Sequence, residues 1–167
     1  MKSIVVIDTC YLLELYKVPG FSSEANFAGV YDKIQTANST NAQLVVSIPC
    51  ILEFANHLAD ASSRGRSLEI AVKFRTHLES SIKEKSPWTI VPAIDSMEEL
   101  GSAVLDFMQN HLVTGVGLCD VFTIRIARAL KNKYAAFGCS VHIFTMDCTL
   151  KAHEPDEEKQ PFLGCTA

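Results

Sequence analysis

Apolar residues along the chain alternate between two periods. Ser3 to Ile7 (SIVVI), Gln43 to Ser47 (QLVVS), Trp88 to Val91 (WTIV) and Val141 to Phe144 (VHIF) are short apolar runs rich in β-branched residues, the pattern of buried strands. Between them, apolar residues recur at helical spacing. Asp8 and Thr9 can cap a helix through Leu12, Leu13 and Leu15, which Pro19-Gly20 ends. Ser23 and Glu24 open a second helix to about Ala37, with Phe27, Val30, Tyr31 and Ile34 on one face. Ser47 and Pro49 form a helix entry, because proline is tolerated in the first turn; Ile51, Leu52, Ala55, Leu58 and Ala59 follow. A break at Ser62 to Gly65 precedes a helix to about Glu84. Its apolar side is Leu68, Ile70, Ala71, Phe74, Leu78 and Ile82, and its charges form a solvated face. Asp95 or Ser96 caps a helix to about Leu112, with Glu98 and Glu99 in the first turn, where the dipole favours them. After a turn at Thr114 to Gly117, a long helix runs from near Leu118 to about Phe137 and stops at Gly138.

Strands alternating with helices imply an α/β domain with a mainly parallel sheet. Residues 1–150 read as one domain. Residues 151–167 read as a polar surface tail (KAHEPDEEKQP), with the FLG near its end docking back. No internal repeat or low-complexity tract interrupts this order.

Composition changes the picture little. A chain of 167 residues with 48% hydrophobic content can build a core, which excludes a disordered protein. The first apolar run is too short for a signal segment, and nothing later approaches a membrane span. The expectation is a cytoplasmic protein with no membrane partner. The six cysteines form no CxxC pair and no zinc-like spacing, so they read as free thiols, mostly small core residues.

The informative feature is where four acids fall. Asp8 directly follows the first strand, and Glu53 lies about one turn into the helix after the second. Asp120 sits in the first turn of the long helix, and Asp147 just past the fourth strand. In an open parallel sheet these places converge at the carboxyl edge, where ligands bind. Carboxylates gathered there repel, and a hard divalent cation with oxygen ligands, Mg²⁺ or Mn²⁺, relieves the repulsion. Such an ion can activate water and stabilise charge on a phosphate, the chemistry of phosphodiester hydrolysis. Read singly, Asp8, Asp120 and Asp147 also suit helix-start or turn positions, and Glu53 an exposed helix site; the conjunction favours a site. The formal net charge is −4, which weighs against a nucleic-acid partner. Setting these four aside leaves as many acids as the 15 Lys and Arg, which removes the objection.

At this point the chain resembles the PIN-domain nuclease family. The resemblance rests on IVVIDTCYLLEL around Asp8, VSIPCILEFANHL around Glu53, GLCDVFTIRIARAL around Asp120 and VHIFTMDCTLK around Asp147. It implies a three-layer α/β/α sandwich and a Mg²⁺- or Mn²⁺-dependent ribonuclease. Asp8, Glu53 and Asp120 match the family's core acids, and Asp147 its more variable fourth. Thr9 and Thr145 occupy hydroxyl positions that can meet metal-bound water or substrate. RNA is then favoured over DNA as substrate. A protein inhibitor or antitoxin and a second copy of the chain are the protein partners such a domain admits. The helix from Arg64 to Lys85 and the tail beyond Lys151 depart from compact toxin-like members.

Arg64, Arg66, Arg125 and Arg128 are candidate phosphate contacts, with Lys17 and Lys151 as further basic residues; a solvated helix face is the plain alternative for Arg125 and Arg128. His57, four residues after Glu53, is a candidate proton shuttle or a structural histidine. Two other functions compete. A haloacid-dehalogenase-type phosphatase also starts with a strand and an Asp but wants a second Asp where this chain has Cys10. A catalytically silent PIN-like interaction module would keep the fold and bind a partner.

Overall fold

The computed structural model describes residues 3–164. In chain order the elements are β1 (Ser3–Ile7), α1 (Thr9–Leu15), α2 (Glu24–Ser39), β2 (Gln43–Ser47), α3 (Ile48–Asp60) and α4 (Arg64–Glu84). They continue with β3 (Thr89–Val91), α5 (Met97–Asp106), α6 (Leu118–Tyr134), β4 (Ser140–Phe144) and α7 (Cys148–Lys151). The strands make one sheet of order β3-β2-β1-β4, parallel throughout. β1 is central, with Val6 opposite Val45 on one side and Ile143 on the other.

Alternation along the strands builds two cores. Val5, Ile7, Leu44 and Val46 pack with Leu12, Val30, Phe54, Phe74 and Trp88 from α1 to α4 and the approach to β3. Ile4, Val6, Val45, Val141 and Ile143 pack with Val121, Ile124 and Ala127 of α6 and with Leu150. Helices therefore cover both sheet faces, giving the three-layer α/β/α sandwich. Among the described residues, no helix is long and apolar enough to cross a membrane.

Local chemistry sets the element starts. Ser47 accepts the Cys50 N–H at 3.2 Å with Pro49 in the first turn, and Ser96 accepts the Glu99 N–H at 3.2 Å. Three expectations need correction. The break before α4 is shorter than Ser62 to Gly65, because Arg64 and Gly65 already lie in the helix. On α4 the core takes Ile70 and Phe74 but leaves Leu68 (70%), Val72 (68%) and Ile82 (69%) exposed; the helix covers the aromatic cluster with one narrow stripe. The helix expected to reach Leu112 leaves α geometry after Asp106. A π turn (Phe107–His111) and a 3₁₀ turn (Leu112–Thr114) lead to Gly115 at φ +80°.

The segment after α7 lies along β4. That strand has a free outer edge by its place in the sheet order. Val141 N–H donates to Asp156 Oδ2 at 2.7 Å and Ile143 N–H to Glu154 Oε2 at 3.2 Å. The Ile143 carbonyl accepts from Lys151 Nζ at 2.8 Å, and the Val141 carbonyl from Asp156 N–H at 3.3 Å. Further on, Phe162 docks where Gly29 of α2 leaves room for its ring, and its carbonyl accepts the Tyr11 hydroxyl at 2.9 Å. The docking anticipated for FLG is thus made by Phe162.

Candidate functional site

Strand pairing holds β1 on both sides through Ile7, so Asp8 is the first residue past the sheet's carboxyl edge. It caps α1 and is buried at 6% exposure. Oδ1 accepts the Thr9 N–H at 2.6 Å; Oδ2 accepts the Thr145 hydroxyl at 2.8 Å and the Cys10 thiol at 2.9 Å. Burial pushes the Asp8 carboxyl above its usual range. These three donors pull it back, and the charge of Glu53 pushes it up again.

Glu53 rides on α3, and Thr9 joins it to Asp8: the Thr9 hydroxyl donates to Glu53 Oε2 at 2.5 Å. Asp120 is in the first turn of α6, where Oδ2 accepts the Gly117 N–H at 2.9 Å. Burial, then the charge of Asp8, with smaller contributions from Glu53 and Asp147, push its carboxyl up to about 6. Asp147 caps α7, accepting Thr149 N–H at 2.6 Å and Leu150 N–H at 3.2 Å through Oδ1. Its own N–H donates to Thr145 Oγ1 at 3.0 Å, so one hydroxyl links Asp8 to Asp147. Asp120 thus feels the charge of the three other acids. None of the ion pairs formed among the described residues neutralises any of the four.

By donor chemistry the site suits a hard cation: four carboxylates at one sheet edge without a basic partner. In spacing it is not a finished cage. Among the described residues no three His, Cys, Asp or Glu groups are arranged to hold an ion. Asp8 spends both oxygens on Thr9, Cys10 and Thr145, and Glu53 Oε2 is bonded to Thr9.

The other anticipated residues divide. Thr9 and Thr145 are buried and hold carboxylates in place rather than facing outward. Arg66 sits in the first turn of α4 and pairs with Glu69 at 2.7 Å. Arg125 lies against Ser102 and 3.8 Å from Asp106, on the α5 side. Arg64 is exposed beside the groove between α3 and α4, and Arg128 is exposed on α6 near His153. Lys17 pairs with Glu24 at the surface, and Lys151 is buried with Glu154 and Glu158, which takes Lys151 out of reach of a phosphate. His57 packs on the Phe21 ring, 4.7 Å between centroids, which supports its structural reading.

Sequence reasoning connected Cys119 and Cys148 to neighbouring acids by adjacency but missed Cys10 and Cys50. Cys10 bonds Asp8, and buried Cys50 lies 3.4 Å from the Thr9 hydroxyl. Cys119 is pushed up to about 11 by burial and by the charges of Glu53, Asp120 and Asp8. The available signal was position, since Cys10 and Cys50 each lie within one helical turn of an acid.

These electrostatics predict a pH response of the metal-free protein. Asp120 has a folded value near 6 against an ordinary value of 3.8, so the folded state holds its proton more tightly. The resulting stabilisation is complete below about pH 4 and is lost as pH rises through about 6. Melting curves in a chelator across that window should show this component falling with pH in wild type and absent in Asp120→Asn. Parallel wild-type and variant profiles would contradict it.

No protein-family model, no curated protein and no solved structure matches the chain.

Proposed function

We propose that this protein is a Mg²⁺- or Mn²⁺-dependent endonuclease of the PIN type that hydrolyses phosphodiester bonds, RNA being the favoured substrate. The observation that carries the reading is the gathering of four carboxylates from four separate elements, with the carboxyl of Asp120 pushed up to about 6 by burial and the other three charges. Asp8, Glu53, Asp120 and Asp147 would hold the ion. When bound, a divalent cation neutralises charge on the phosphate and acidifies water. The chain's own part is positioning: Thr9 fixes Glu53 against the first turn of α1, and Thr145 fixes Asp8 against the turn that carries Asp147. A cytoplasmic setting, an inhibitor or antitoxin partner and a role in RNA processing or as a toxin belong to the same proposal.

The test is cleavage of RNA and single-stranded DNA, side by side, by purified protein with Mn²⁺, Mg²⁺ or chelator. Metal-dependent cleavage of RNA in preference to DNA, lost in Asp8→Asn, is the expected result. Equal degradation by wild type and variant would mark the activity as contamination and end the proposal.

One observation favours a second reading, a catalytically silent interaction module. No ready-made ion cage exists among the described residues, while Leu105, Met108, Leu112 and Val113 stand exposed along α5 and the turns after it. That reading expects a tight complex with a partner and no cleavage at any metal concentration.

A further inference from the structure

The geometry points to Cys10 as a positioning residue of the acidic site, a thiol that locks the Asp8 carboxylate to the turn bearing Asp147. The inference rests on the reading of the four acids as a divalent-cation site.

The turn between β4 and α7 has few ties to β1 beyond the last ladder bond, Asp8 N–H to the Phe144 carbonyl at 3.0 Å. Past that point the backbone ladder ends, and side chains take over. Cys10 Sγ donates to Asp8 Oδ2 at 2.9 Å and accepts the Met146 N–H at 3.2 Å. It also lies 3.5 Å from Thr145 Oγ1, which donates to the same Asp8 oxygen and accepts the Asp147 N–H. Asp8 Oδ2, Cys10 Sγ and Thr145 Oγ1 therefore form a closed ring of polar contacts. Two successive N–H groups of the turn, from Met146 and Asp147, bond to two corners of that ring.

This arrangement needs a side chain that is donor and acceptor at once, one helical residue beyond Thr9. Sulfur suits the place because its long bonds reach both partners while its body packs against the apolar core. Alanine would leave Asp8 with one donor fewer and the Met146 N–H without its side-chain acceptor. Serine would keep both roles with shorter reach. The thiol touches neither substrate nor reacting atoms; it acts through Asp8 and Asp147. Partners of this kind around metal-binding carboxylates typically change metal affinity or activity by about 10–100-fold when removed.

The test uses full-length protein and Mn²⁺ alone as the probe, by calorimetric titration and by the Mn²⁺ dependence of RNA cleavage. Cys10→Ala should weaken Mn²⁺ binding by roughly 10–100-fold. It should also raise the Mn²⁺ concentration for half-maximal rate with little change in the KM for RNA. Cys10→Ser should recover most of the affinity, a rescue that lost packing alone would not give. Cys10→Val, which fills the space without polar atoms, should behave as Cys10→Ala; it carries the test if the smaller variant does not fold. Wild-type Mn²⁺ affinity in Cys10→Ala or Cys10→Val, with affinity lost in Asp8→Asn, overturns the role of Cys10 and leaves the acidic site standing. Absence of Mn²⁺ binding in wild type overturns the site reading and this inference with it.

Discussion

Asp120→Asn should move activity and metal-free stability in opposite directions. Cleavage in Mn²⁺ should fall by about 100- to 1000-fold, because charge stabilisation by a bound ion is worth several kcal/mol and each tenfold in rate is about 1.4 kcal/mol. Above about pH 6 without metal, the same variant should melt at or above the wild-type temperature. The wild-type carboxylate is pushed up to about 6 by burial and by three other acids, so ionising it in the fold is unfavourable. Asparagine removes the charge and keeps the shape. Its side-chain oxygen can still accept the Gly117 N–H, so the start of α6 survives. Asp8→Asn is a poorer probe, since Asp8 receives three donors and an amide N–H would face one of them. The measurement is a pair of melting series, with chelator and with rising Mn²⁺, beside initial cleavage rates. Wild type should gain stability with Mn²⁺, and the variant should gain little. A variant that melts lower than wild type without metal and gains equally from Mn²⁺ would mean that Asp120 is an ordinary capping residue.

Much of the frame behind this prediction was legible in the chain. The bounds of β1 and β2 follow from short apolar runs with β-branched centres, and Ser47, Ser96 and Gly138 punctuate the helices as their chemistry dictates. The placement of Asp8 and Asp147 followed from the strand ends, because a parallel sheet sends every strand end to one edge, whereas Glu53 and Asp120 come from α3 and the first turn of α6. Other features escaped for physical reasons. The exposed Leu68, Val72 and Ile82 repeat at nearly the spacing of the buried Ile70 and Phe74, so periodicity alone does not say which stripe meets the core. The π turn after Asp106 adds a local register shift that leaves no mark in composition. Cys10 reads as a small core residue until its two partners, 135 residues away or more, are in place. The acids at 154, 156 and 158 read as a solvated run. In the fold they serve the β4 edge and Lys151, by pairings between segments that sequence proximity only partly reveals.

Those pairings set the largest expected stability effect away from the acidic edge, at Lys151. Its ammonium is buried, donating to the Ile143 carbonyl at 2.8 Å and to Glu154 and Glu158 at 2.7 Å each. Burial pushes the Glu158 carboxyl up, but the bonds from Lys151 and Lys33 more than reverse this and leave it below its usual range. Lys151→Met keeps the length of the side chain and removes the charge, leaving the half-buried Glu154 without its ammonium partner and Glu158 with Lys33 alone. Removing one partner of a buried pair typically costs about 3–5 kcal/mol. For a chain of this size that corresponds to a melting-temperature drop on the order of 10 °C. The gap should narrow on acidification. Glu158 has a lowered folded value, so its contribution in wild type is present above the ordinary carboxylate range and lost as pH falls through that value. Adding Glu154→Gln to Lys151→Met should recover part of the loss by removing the stranded charge. A variant melting within about one degree of wild type at neutral pH would mean that the segment after α7 contributes little to holding β4. Because Thr145, Met146 and Asp147 follow directly from that strand, a loosened β4 edge should also weaken Mn²⁺ binding, even though the Lys151 ammonium bonds none of the four carboxylates.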